Sequence, residues 1–333
     1  MLLLAAALTL GEASAHAKRA AYVPRLTQWG DPDFRATWTT DRIAEAGIPL
    51  ERPVAQGDRA WLTNEEFAKR LDAAKKSDAG YQEDVDANGT VSLAQWVQSA
   101  TFAHRTSLIV SPANGRLPPM TVQGEALFKA GRNSWLDKQP IDWVADLDSY
   151  DRCVARGVDS AILPWPNNNG VRIFQSPGFV ALQLEVFGAR IVPIGRGDRP
   201  MPRSWRGASS GHWEGNTLVI ETNQIVAGDS VSGDHLKRSS SPITGRGHGT
   251  VPIGPRAHTT ERLTMTGPGS LTYQVTYSDP DVFTAPWTAE VEWLRDDTYR
   301  IYEYACHEGN GVREWITASR AQRRNDARSQ VRR

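Results

Sequence analysis

Ser270-Leu271-Thr272-Tyr273-Gln274-Val275-Thr276-Tyr277-Ser278 decides how this chain is read. Its apolar residues take every second position: Leu271, Tyr273, Val275 and Tyr277 on one face, Thr272, Gln274 and Thr276 on the other. That period belongs to a strand with one buried and one wet face. Upstream, Thr259 to Thr266 reads as a second strand, and Thr266-Gly267-Pro268-Gly269 supplies the turn between them. Downstream, Trp287 to Leu294 and Tyr299 to Cys306 flank the Arg295-Asp296-Asp297 corner. These four segments predict two consecutive hairpins.

The same signals recur further out. Val171 to Gln175, Phe179 to Phe187 and Arg190 to Ile194 are parted by Ser-Pro-Gly and Gly-Ala turns, and Gly215-Asn216 joins Ser210–Glu214 to Thr217–Thr222. The fold class this predicts is mainly β. Its short sequential strands form an antiparallel meander closed into a lipocalin-like barrel, because closure removes exposed edges. A two-sheet sandwich is the alternative. The N-terminal part is irregular and helical. Gly30-Asp31-Pro32-Asp33 turns into a lead-in anchored by Phe34 and Trp38, and Thr63 with Glu66 forms a capping box for a helix carrying Phe67 and Leu71. Arg105 to Val110 reads as a strand, Val122 to Gly131 as a helix, and Asp148 to Ala155 as a short helix or turn. The parse is a signal peptide over 1–17, an N-terminal segment packed on the barrel over 18–104, the barrel over 105–320 and a basic tail over 321–333.

Lys and Arg total 38, as do Asp and Glu, which argues against a nucleic-acid binder. Met1 to Leu10 is a Leu/Ala run followed by Ala13-Ser14-Ala15-His16-Ala17, a secretory pattern, though no Lys or Arg precedes it; a buried helix is the alternative. The run is shorter than the roughly 20 residues a membrane span requires, and no other stretch approaches that length. The expected location is therefore periplasmic or secreted, with no membrane span. In that compartment Cys153 and Cys306 are most simply one disulfide. The alternative makes Cys306 a nucleophile beside His307 and Glu308.

No Walker loop, Rossmann glycine pattern or His-Glu-x-x-His is present, and the seven His are scattered, so neither cofactor nor metal is expected. Asp84 to Gly89 resembles part of a calcium loop but lacks the closing Glu and reads as a turn. The Ser/Gly-rich stretch Gly228 to Pro255 reads as a lid or a disordered loop. Twelve Trp against eight Tyr and eight Phe suit either a bulky core or a pocket for a flat ligand. Three clusters carry the candidate chemistry. Tyr302-Glu303-Tyr304-Ala305-Cys306-His307-Glu308 places phenols beside a His and carboxylates. Arg203-Ser204-Trp205-Arg206, leading to Trp213, suits cation–π packing or recognition of an acidic or phenolic group. Glu185 lies in the apolar strand Phe179 to Phe187, on one face with Ala181 and Gln183, where it would work as an acid or base if it faced inward; an outward, solvated position is the alternative. His307, Glu185 and Tyr304 are thus the candidate catalytic residues, and Trp205, Arg206, Trp213, Trp287 and Tyr302 the candidate substrate-binding ones.

Leu50-Glu51-Arg52-Pro53, Arg105-Thr106-Ser107-Leu108-Ile109-Val110, Asn114-Gly115-Arg116-Leu117-Pro118-Pro119, Gly211-His212-Trp213-Glu214-Gly215-Asn216-Thr217-Leu218-Val219, Pro286-Trp287-Thr288 and Tyr302 to Asn310 occur here in order. Together they resemble a family of exported bacterial β-rich proteins associated with organisms that degrade plant-derived aromatics. The resemblance runs from about residue 33 to 320 and implies export and a single domain. It also makes a formaldehyde-releasing lyase on lignin-derived dimers a conceivable role, and it brings no catalytic residues with it. The expected function is a cofactor-independent lyase or isomerase, working by acid/base chemistry on a small hydrophobic or aromatic molecule. The alternatives are a lipocalin-like protein that binds such a molecule without catalysis, and a structural protein whose Trp serve only the core.

Overall fold

The computed structural model describes residues 22–40, 48–80, 104–130, 140–147, 151–154, 163, 168–186, 188–195, 202–226 and 253–331. The expected signal peptide, the turn expected at Asp84–Gly89 and nearly all of the Gly228–Pro255 stretch lie outside them. Ser270–Ser278 is strand β9, and its burial alternates residue by residue as the sequence predicts. The other strands are β1 (Ala36–Thr39), β2 (Ile109–Ser111), β3 (Gly170–Ser176), β4 (Phe179–Leu184), β5 (Gly188–Pro193), β6 (Ala208–Glu214), β7 (Thr217–Asn223), β8 (His258–Gly267) and β10 (Trp287–Arg295).

The wall runs β5-β4-β3-β1-β10-β9-β8-β7-β6, with every neighbouring pair antiparallel. An odd number of strands paired this way leaves the two end strands pointing in the same direction, so closure has to be parallel. Ile194 and Gly211 form that parallel bridge, and the Gly195 N–H donates to the Gly211 carbonyl at 2.9 Å. Gly211 permits the approach, since a Cβ there would stand 2.8 Å from Ile194 Cδ1 and 3.0 Å from Val192 Cγ1. The result is a nearly closed antiparallel barrel whose inward face holds Trp38, Leu182, Leu218, Leu263, Tyr273, Val291 and Trp293, all buried. Each such side chain contributes about 1.5–3 kcal/mol relative to exposure.

Three sequence expectations are corrected. Tyr299–Cys306 is not a strand, so the second expected hairpin does not form. The free edge of β10 that it would need is shared by β1, at Leu294 and Arg295, and by β2, at Thr288 and Ala289. Its N–H groups close local turns instead, Cys306 to the Tyr304 carbonyl and Glu308 to that of Ala305. The barrel is not confined to 105–320, because β1 is a wall strand rather than a lead-in packed outside. The residues from 321 on are not a separate tail: Val312–Val331 is helix α3, tied down by Ser319 Oγ, which accepts the Ile141 N–H at 2.9 Å, and by an Arg323–Asp142 ion pair.

Helix α1 (Asn64–Gly80) begins as its capping box predicts, with Thr63 Oγ1 accepting the Glu66 N–H at 3.2 Å and Glu66 accepting the Thr63 N–H at 2.8 Å. Helix α2 is Val122–Ala130. The N-terminal motifs knot together around Arg52, which is buried. Its Nε donates to Thr106 Oγ1 and its Nη1 to the Ala113 carbonyl, both at 3.0 Å, while Glu51 accepts the Leu117 N–H at 2.9 Å. Arg105 pairs with Glu290 on the outward face of β10 and lies 5.3 Å over the Trp61 ring. The end of the barrel where β3 and β6 finish is plugged by the lead-in. There Phe34 meets Trp213 edge-on at 5.3 Å and donates its N–H to Gln175. Cys153 and Cys306 are disulfide-bonded with Cα atoms 5.6 Å apart, and no described cysteine is free. No helix among the described residues is long and apolar enough to cross a membrane.

Candidate functional site

Strand register stacks the inward residues in rows. At the end opposite the plug, one row crosses five strands: Trp287 beside Tyr277, then Thr259, Thr222 and Ser209. The row is chemically graded. Trp287 and Tyr277 form a tilted aromatic pair 5.6 Å apart, and at the far side Ser209 and Thr222 share a hydroxyl–hydroxyl hydrogen bond of 2.8 Å. Two of its five positions are therefore aromatic, and three carry small hydroxylated side chains. Trp287 Nε1 is buried with no acceptor among the described residues, as are the indole nitrogens of Trp213 and Trp293 nearer the plug. By contrast, Trp38 donates its indole N–H to the Phe34 carbonyl at 3.0 Å.

The next row runs Ala289, Val275, Glu261, Ile220, Gly211 and on to Ile194. Glu261 is the one carboxylate in this row. It pairs with Arg190, which reaches across from β5, and accepts the Tyr273 hydroxyl at 2.8 Å; the two charged side chains are only 1% and 11% exposed. Tyr273 is in turn stacked on Trp293 at 5.1 Å. A fixed ion pair thus crosses the barrel beneath the graded row.

Just beyond the row lies Asp279, also buried. It accepts the Tyr277 hydroxyl at 2.9 Å and the Gly254 N–H at 2.7 Å, yet burial outweighs these bonds and raises its pKa above the ordinary aspartate value. Where β5 and β6 part, the turn at 204–207 carries Trp205 and Arg206. Gly207 fixes it, with φ of +68° and a would-be Cβ 2.5 Å from the Asn223 carbonyl. Arg206 Nη1 donates to the Ala189 carbonyl at 3.0 Å, and Arg152 lies 4.8 Å over the Trp205 ring.

Of the sequence-predicted residues, Trp287 and Trp213 face inward, and Trp205 and Arg206 sit at the seam. Tyr302 is exposed. Glu185 falls on the outward parity of β4, so the inward placement its acid/base role would need is not realised. Its carboxylate accepts the Gly170 N–H at 2.9 Å and the Tyr299 hydroxyl at 2.6 Å. His307 is exposed in the turn after Cys306, and Tyr304 is half-buried outside the strands. The polar cluster around them works as a joint. Asn310 Nδ2 donates to the Asp151 carbonyl at 2.7 Å, and its Oδ1 accepts the Val312 N–H at the start of α3. The alternative of a Cys306 nucleophile is overturned by the disulfide.

Glu261, Arg190, Tyr273 and Asp279 were not among the predicted site residues. Glu261 carried a legible signal, a carboxylate in the apolar register of Thr259, Leu263 and Met265. Gly207-Ala208-Ser209-Ser210-Gly211 has the Gly-x-Ser-x-Gly spacing of a nucleophile elbow. Here it enters a strand rather than a strand-to-helix turn. Among the described residues no group of three or more His, Cys, Asp and Glu converges to hold a metal ion. Fold and site together define a β-barrel with a polar-threaded aromatic interior. Comparison with protein-family models, with curated proteins and with solved structures finds no match.

Proposed function

We propose that this barrel binds a small aromatic molecule at the end opposite its plug, in the row from Trp287 to Ser209. The observation that supports this best is the Trp287 indole N–H, buried on the inward face with no acceptor among the described residues and in one row with the hydroxyls of Thr259, Thr222 and Ser209. A buried donor left unpaired costs about 1–3 kcal/mol, and a ligand oxygen would supply the missing partner. The aromatic part of the row suits the ring of such a ligand, and the hydroxyl part suits its polar substituents. Export fits this reading, supported by the apolar run at Met1–Leu10 and the Cys153–Cys306 disulfide.

Turnover is the second reading. A lyase or isomerase acting on phenolic dimers needs a proton-transfer group at the ring, and Asp279 favours it. Its raised pKa and its bond to the Tyr277 hydroxyl, in the same row as Trp287, suit general acid/base work. Incubation with a panel of monomeric phenols and phenolic dimers separates the two readings. Binding without catalysis gives saturable quenching of tryptophan fluorescence and no product, formaldehyde included. An enzyme gives product, cut by roughly 100-fold or more in Asp279→Asn. Neither quenching nor product across the panel rejects both.

A further inference from the structure

Resting on the reading of the barrel as an aromatic-binding site, we infer that the ligand is an anion, an aromatic carboxylate or phenolate. Arg206 is its receptor, and Arg203 an outer contact. The two arginines flank Trp205 in sequence, and among the described residues both donate only to neutral carbonyls. Arg203 donates to Ile225 at 2.9 Å and Pro255 at 3.1 Å, and Arg206 to Ala189 at 3.0 Å. Among the described residues neither contacts a carboxylate. Arg206 is half-buried and feels the charge of Arg190, so burial first and like charge second lower its hold on its proton. An arginine desolvated beside another arginine is stabilised by an anion, which the planar fork can bind through paired hydrogen bonds.

The receptor is built on rigid parts. Ser204 is bridged to Ile225, its N–H donates to the Gln224 carbonyl at 3.0 Å, and its Oγ to the Gly207 carbonyl at 2.8 Å, so the turn cannot swing away from the β5–β6 seam. Arg190 is itself held by Glu261, which keeps that carboxylate from turning toward Arg206. Thr222 and Ser209 stand at the seam side of the row, away from the aromatic pair, so an anionic group placed beside them would face the cationic seam.

The test compares 4-hydroxybenzoate with its neutral methyl ester at pH 7.5, by calorimetry on the full chain, in wild type, Arg206→Gln and Arg203→Gln. The acid is expected to bind wild type at least about 10-fold more tightly than the ester. Arg206→Gln should erase that preference and leave ester affinity unchanged, while Arg203→Gln, an exposed change that spares the fold, should reduce the preference two- to fivefold and steepen no unfolding transition. Equal binding of acid and ester to wild type overturns the anion receptor while leaving aromatic binding intact. Binding of neither probe overturns both. A preference that survives in both variants shows that the anion is held elsewhere.

Discussion

Replacing Glu261 with Met should be the most damaging single change inside the barrel. Glu261 and Arg190 are 1% and 11% exposed, so their charges meet in a medium of low polarity. Removing the carboxylate strands the Arg190 guanidinium without that partner, a loss of about 3–5 kcal/mol. The Tyr273 hydroxyl, which donates to Glu261 at 2.8 Å, loses its acceptor in the same step. Replacing both charges, as Glu261→Met with Arg190→Met, removes the stranded charge and should restore all but about 1–2 kcal/mol. The outward pair Arg262–Glu214 is the control. Its side chains are 39% and 48% exposed, and Glu214→Gln should leave the unfolding midpoint nearly unchanged. Urea unfolding followed by tryptophan fluorescence reads wild type, Glu261→Met, Arg190→Met, the double variant and the Glu214→Gln control. A cost below about 1 kcal/mol for Glu261→Met, or a double variant as unstable as the two singles added together, would refute the reasoning.

Three further outcomes are expected. Loss of the Cys153–Cys306 bond in Cys306→Ser should lower stability by up to about 5 kcal/mol through loop-closure entropy, and titration of the unreduced protein should find no free thiol. Because the folded pKa of Asp279 is raised by burial, its contribution to stability is present at low pH and is lost as pH rises from the unfolded value near 3.8 through the folded one; Asp279→Asn should flatten that part of a stability-against-pH curve. Gly124→Ala should cost about 1–3 kcal/mol in chemical denaturation, since its Cβ would stand 2.3 Å from the Val282 carbonyl oxygen, which is backbone and cannot step aside cheaply.

The wall of the barrel was legible wherever period and turn agreed. The β9 alternation, the Gly215-Asn216 hairpin and the Thr63–Glu66 cap all act locally, so sequence alone exposes them. β1 was not legible as a wall strand, because its four residues owe their strand state to β3 and β10, far along the chain. Tyr302 to Cys306 alternates like a strand, but sequence could not reveal that β1 and β2 already fill the edge it needs. The site divides in the same way. Trp287 and Trp213 were readable from their positions in strands, and so was Glu261 in its apolar register. The Arg190–Glu261 contact spans the barrel and depends on closure between β5 and β6. Glu185 faces outward because the parity of β4 is set by Val180, Leu182 and Leu184 inside.

Indole nitrogen NMR on the full chain tests the central claim most directly. Among the assigned tryptophan side chains, titration with 4-hydroxybenzoate should shift the Trp287 N–H signal saturably downfield, as a free donor gains an acceptor. The Trp38 signal, already bonded to the Phe34 carbonyl, should stay in place. A Trp287 signal that does not move while the exposed Trp61, Trp143 or Trp315 does would put the ligand on the surface and contradict a binding site inside the barrel.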